Sequence, residues 1–103
     1  MQELVNGILE VIKDKAVKII LYGSVARGTG GPESDVDIAL IMNGSLTSET
    51  EEKLSDFIVD MDLKYDKVFS VIDIDINHFS KWESVTPFYQ NVNREGIVLW
   101  KAA

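Results

Sequence analysis

Residues 17–42 read VKIILYGSVARGTGGPESDVDIALIM, and the fold turns on how this stretch is divided. Val17 to Tyr22 is apolar and β-rich, the composition of a strand. Gly23 ends it, and residues 24–28 are expected to form a short helical turn. Residues 29–34, TGGPES, form a loop by composition. Val36 to Met42 is a second strand. Its alternation puts Val36, Ile38, Leu40 and Met42 on one face and Asp35, Asp37, Ala39 and Ile41 on the other. The connection of about a dozen residues fits a crossover or a long antiparallel loop, and loops of that length are usually functional.

Outward from this core, Leu4, Val5, Ile8, Leu9 and Ile12 recur at helical spacing, so residues 2–15 are expected to be an amphipathic helix. Ser48 followed by Glu51 fits a capping box. The helix it opens runs to about Lys64 on a stripe of Leu54, Phe57, Ile58 and Met61, its many acids forming a solvated face. Residues 68–76, VFSVIDIDI, read as a third strand with Ile72, Ile74 and Ile76 on its buried face. Asn77 is expected to cap a short turn through Trp82. Thr86 and Pro87 start a further helix that ends before Gly96, and residues 97–100 are a last strand. This order of elements predicts one α/β (α+β) domain over residues 1–103.

Composition limits the function classes. The 103 residues are 46% hydrophobic and 26% charged, ordinary for a globular chain. With no cysteine, disulfides and thiolate metal sites are excluded. No apolar run approaches the ~20 residues of a membrane helix. Glu3, Glu10 and Asp14 are wrong for a signal peptide, so no membrane association and a cytoplasmic location are expected. A net charge of −7 argues against a long nucleic acid as partner, because such binding needs a basic surface. A small anion can still be held locally by backbone N–H groups and a bound cation.

The candidate chemistry lies in the opening stretch. Asp35 and Asp37, at i and i+2, point to one side about 6–7 Å apart along the chain. Carboxylates that close repel unless a cation sits between them, and carboxylates are natural Mg²⁺ ligands. Taken alone, such a pair is more often solvated beside a turn. Gly23 lets a phosphate approach the backbone, and Ser24 adds a hydroxyl; an ordinary turn with a serine cap would look the same. The Walker A pattern fails because no lysine follows Gly28, and an EF-hand fails because Ala39 and Leu40 stand where a ligand and glycine are required. His78 is the only histidine and has no motif around it, which leaves a surface loop as its reading. Phe88, Tyr89, Val92, Ile97 and Leu99 are expected mainly in the core, with Trp82, Tyr89 and Trp100 as candidates for a partner surface.

Taken together, Gly23-Ser24, Ala26-Arg27-Gly28 and Ser34-Asp35-x-Asp37 between two apolar strands resemble the signature of the DNA polymerase β-like nucleotidyltransferases. In this short form the chain resembles their minimal nucleotidyltransferase (MNT) family. The resemblance is close over residues 20–42 and extends loosely over the element order. It implies a palm-like fold, with a small mixed sheet, helices packed on one face and the Asp35/Asp37 side open. It implies that Gly23 and Ser24 contact a nucleoside triphosphate, ATP first, and that Asp35 and Asp37 are the catalytic metal ligands for Mg²⁺ or Mn²⁺. Arg27 either meets a phosphate or ties the loop down. The family's third acid comes from the next strand. The closest match to its context puts Ser70 there, while alternation leaves Asp73 as the other candidate.

The partner implied by the resemblance is a HEPN-type protein encoded nearby, the MNT chain placing AMP on a hydroxyl of that toxin. A chain this short is expected to take its acceptor surface from such a protein or from a second copy of itself, as a homodimer. Loss of the third acid would instead leave an MNT protein that neutralises its partner by binding. An aminoglycoside-type small-molecule nucleotidyltransferase is a third reading, one that needs further acceptor-binding structure.

Overall fold

A computed structural model describes residues 1–31 and 34–103; Pro32 and Glu33 of the expected 29–34 loop lie outside the described residues. Four strands form one sheet: β1 (Ala16–Tyr22), β2 (Val36–Met42), β3 (Phe69–Asp75) and β4 (Ile97–Lys101). Their order across the sheet is β3-β2-β1-β4. β1 runs antiparallel to both β2 and β4, and β2 runs parallel to β3, so the sheet is mixed. The link between β1 and β2 is therefore the long antiparallel connection, not a crossover. It contains α2 (Gly23–Arg27).

The remaining helices are α1 (Gln2–Ile12), α3 (Ser48–Tyr65), α4 (Ile76–Trp82) and α5 (Pro87–Glu95). A single 3₁₀ turn, Lys13–Lys15, follows α1. The helices form close to where the sequence places them, with two changes at the caps. Thr47, not Ser48, caps α3, its Oγ1 accepting from the Thr50 N–H at 3.2 Å. Asp75, not Asn77, caps α4, its Oδ1 accepting from the Asn77 N–H at 2.8 Å. In both cases the side chain that closes the first turn sits one or two residues earlier than expected, on the residue whose backbone is still extended.

The sheet carries an apolar cluster on each face. On one face α1 and α3 pack against Ile19, Leu21, Val36, Ile38, Leu40 and Phe69 through Leu4, Ile8, Leu54 and Met61. Where these helices meet, Gly7 faces the Phe57 ring, and a Cβ at Gly7 would overlap it. Glu3 of α1 also accepts from Lys64 Nζ at 2.7 Å and from the Tyr65 hydroxyl. This is the helix-covered face expected from the sequence; the expectation of helices on one face only is corrected, because the other face carries its own apolar residues and is covered in part as well. On the other face α4 and α5 supply Phe79 and Val92 to a smaller cluster with Ile20, Ala39, Ile41 and Ile74. They leave the end of this face that carries Asp37 uncovered enough for that side chain to be half-exposed.

β3 has a second anchor. The Asp62 carboxylate of α3 accepts from the Phe69 N–H at 2.8 Å, and Val36 donates its N–H to the Val68 carbonyl at 2.8 Å. Both bonds sit where β3 begins. From there β2 and β3 pair without a shift from Val36↔Phe69 to Met42↔Asp75.

Candidate active site

β1 ends and β2 begins at the same end of the sheet, because the two are antiparallel. Tyr22 is the cross-strand partner of Asp37. The next residue, Gly23, has φ +78, the left-handed region that suits glycine. A Cβ at Gly23 would collide with Asp37 Oδ2, so only glycine lets the chain turn into α2 this close to the carboxylate. α2 then runs for five residues with no side-chain cap at its N-terminus among the described residues. Gly28, at φ 77, closes it. The loop beyond folds back: the Thr29 and Gly30 N–H groups both donate to the Ser24 carbonyl, at 3.0 and 3.1 Å. Gly23, Ser24, Asp35 and Asp37 are thus gathered at one sheet end.

The electrostatics agree with that proximity. The Asp37 carboxyl is held above its ordinary pKa, first by burial and then by the negative charge of Asp35, with the Arg27 guanidinium offsetting part of the rise. Burial, and then the charge of Asp37, push the Tyr22 hydroxyl up as well. Asp35 itself is exposed. A divalent cation between the two carboxylates would relieve this repulsion, so the residues fit such an ion. Arg27 is engaged: its Nη1 lies 3.2 Å from Glu95 Oε2, tying α2 to α5. Of the two roles open to Arg27 in the sequence, the structure displays the tie.

Register shows which candidate for the third acid lies beside Asp37. Cross-strand partners in a sheet share a face, and the partner of Asp37 on β3 is Ser70. The partner of Asp73 is Leu40, which lies in the cluster under α1 and α3. Asp73 therefore stands on the opposite face from Asp37, beside Leu54, Ile58 and Val71. Asp73 as a catalytic residue is corrected accordingly. The expectation rested on the acids of β2 and β3 both opposing one apolar face. The sheet has helices on both faces, so each face carries apolar residues and alternation alone cannot rank them. No break interrupts the pairing that would turn Asp73 over. Ile72, expected to be buried, shares the face of Asp37 and is 42% exposed.

One feature of the site was not read from the sequence. Phe88 of α5, expected in the core, is exposed and packs edge-on against Tyr22, with ring centroids 5.5 Å apart at 79°. Tyr89 continues the row, touching Phe88, Phe79 and His78, and the His78 Nδ1 lies 2.8 Å from the Tyr89 hydroxyl. His78 is on helix α4 rather than in a loop. Trp100 packs against the cluster under α1 and α3. Among the described residues no group of three or more His, Cys, Asp or Glu side chains is placed to hold a metal. No helix among the described residues is long and apolar enough to cross a membrane.

A glycine turn and a short helix after β1 thus lie beside two neighbouring carboxylates at the start of β2. The nucleotidyltransferase domain family matches residues 5–85, and the chain belongs to that family, whose members are nucleotidyltransferase enzymes. A relative in Methanocaldococcus jannaschii, provisionally designated protein adenylyltransferase MJ0141, is 35% identical over 72 residues, 70% of this chain and 73% of its own. Among solved structures, a toxin-antitoxin with AMP-PNP superposes with a TM-score of 0.66 at 21% identity, over 98% of this chain and 73% of that one. The Shewanella oneidensis complex of a tri-AMPylated HEPN toxin with its MNT antitoxin gives 0.55 at 22% identity, over 98% and 72%. At these identities the superpositions establish the fold.

Proposed function

We propose that this protein transfers AMP from an ATP–divalent cation complex to a hydroxyl of a HEPN-type partner protein, as the antitoxin of a toxin–antitoxin pair. The observation that carries the reading is the placement of Asp35 and Asp37 against Gly23-Ser24 at the half-open end of one sheet face. The protein acceptor is supported by the designation of the archaeal relative as a protein adenylyltransferase. The HEPN partner and the nucleotide are supported by the complexes that share this fold.

In the reaction the acceptor oxygen bonds to the α-phosphorus, the bond from that phosphorus to the α–β bridging oxygen breaks, and pyrophosphate departs with the electron pair. The hydroxyl proton passes to solvent or to a base brought by the acceptor. Gly23 gives the phosphates room at the backbone, and Ser24 offers a hydroxyl donor. Asp35 and Asp37 would hold Mg²⁺ or Mn²⁺. When bound, the ion neutralises the phosphate charge that builds on the leaving group. Arg27 keeps α2 in place through Glu95. Ser70, beside Asp37, offers a hydroxyl where a carboxylate would serve as base.

That serine favours a second reading, neutralisation of the partner by binding alone. Incubation with labelled ATP, Mg²⁺ and the neighbouring gene's product separates the two. Label transfer to the partner that disappears in Asp35→Asn and Asp37→Asn supports the enzyme. Neutralisation that survives both substitutions, with no label moved by the wild type, leaves the binding reading.

A further inference from the structure

We propose that Phe88, seated on Tyr22, is the platform for the base of the bound nucleotide. This rests on the nucleotidyl-transfer reading above and extends it to a residue on another element.

The argument is positional. Tyr22 is the strand neighbour of Asp37, and adjacent strands lie about 4.8 Å apart. Ser70 flanks Asp37 on its other side. A triphosphate held between Gly23-Ser24 and the two carboxylates carries its base one ribose away. On the β1 side the aromatic surface next to it is the Tyr22–Phe88 pair. On the β3 side the surface beyond Ser70 is Ile72, aliphatic and 42% exposed. A flat heterocycle gains more from a ring than from a branched aliphatic chain, because base–aromatic stacking adds to area burial. The β3 side is left for the acceptor.

Phe88 is held firmly enough to serve. Its edge contact with Tyr22 fixes one side of the ring. Val92, one turn further along α5, is buried in the cluster with Ile20. Gly96, just past the helix, lies so close to Ile20 Cγ2 that a Cβ would overlap it. The Arg27–Glu95 pair clamps the same helix to α2. α5 is therefore fixed to the site at both ends, yet Phe88 remains 36% exposed. Stacking of this kind tolerates any base, so the platform favours nucleotides over bare polyphosphate without choosing among NTPs.

The test compares two ligands by calorimetry: a nonhydrolysable ATP analogue with Mg²⁺, and inorganic tripolyphosphate with Mg²⁺. In Phe88→Ala and Phe88→Leu the analogue should bind about tenfold more weakly, the scale of one base–aromatic stack, while tripolyphosphate binds as to wild type. Phe88→Trp should retain analogue affinity, which also guards against a folding defect in the smaller variants. Equal weakening of both ligands would make Phe88 a structural residue and overturn the proposal. Unchanged analogue affinity would overturn it too, whether or not transfer to the partner protein falls; a fall would assign the ledge to the acceptor. If wild type binds neither ligand, the nucleotidyl-transfer reading fails first and the platform with it.

Discussion

Asp37 is half-buried beside a second carboxylate, and its raised pKa has two consequences of opposite sign. A carboxyl whose folded pKa lies above its unfolded value binds its proton more tightly in the native state. Its contribution to stability is full below the unfolded pKa and is lost as pH rises through the folded one. At neutral pH the ionised side chain therefore opposes folding. Asp37→Asn should melt at a higher temperature than wild type at pH 7, and the gap should close as pH falls below the ordinary aspartate range. Label transfer should meanwhile drop by on the order of 100-fold or more, as when a transition-state contact is removed. Added Mg²⁺ should raise the wild-type melting temperature and leave that of Asp37→Asn nearly unchanged. A site that trades stability for chemistry gives this pairing of a sturdier protein with a silent one, and differential scanning fluorimetry beside the labelling assay measures both.

Among the elements, α1 and α3 meet closely where Gly7 lies against the Phe57 ring. Gly7→Ala should cost about 1–3 kcal/mol in urea unfolding, the range for an overpacked core, despite the better helix propensity of alanine. Phe57→Leu combined with Gly7→Ala should recover most of that loss, because the two positions share one contact. Most elements were legible in the sequence because each announces itself locally. Leu4, Val5, Ile8 and Ile12 repeat at helical spacing, and Gly23 and Gly28 bracket a five-residue helix. The pair Asp35 and Asp37 was legible for the same reason, since i and i+2 on an extended chain share a side. Asp73 was misread because the face of β3 is set by its partner β2 and not by its own alternation. Phe88 was assigned to the core for a related reason. Nothing in TPFYQNV tells which aromatic of α5 points at the sheet and which at the site; the contact with Tyr22 decides it.

For the whole molecule, the net charge of −7 is spread over a chain of 103 residues, so the folded state works against its own repulsion. Among the described residues, Arg27–Glu95, Lys53–Glu49 and Lys64–Glu3 are ion pairs that offset this, all with exposed side chains. Exposed pairs of this kind contribute about 0–1 kcal/mol each. Screening should accordingly stabilise the protein. The melting temperature is expected to rise between about 10 mM and about 150 mM choline chloride, as the screening length falls from about 30 Å to about 8 Å. Choline serves as the cation because it cannot enter the carboxylate pair as a small metal ion does. A flat or falling response would mean that ion pairing outweighs the general repulsion.

Asp62 lies on the other side of the sheet from Asp37, yet its bond to β3 is placed to act as a register stop for the centre. Its carboxylate seizes the first amide of β3, the strand that arrives last at β2 after the long passage through α3. A parallel strand can slide along its neighbour, and a slip of one residue turns every side chain to the other face. Slid by one, β3 would offer Phe69 or Val71 to Asp37 in place of Ser70. Asp62→Ala should therefore show faster amide exchange at Phe69 and slower label transfer, although no atom beside Asp37 has been altered. A latch on the far side of the sheet thus bears on the composition of the centre, and a change there would pass for a catalytic lesion in any screen that reads activity alone.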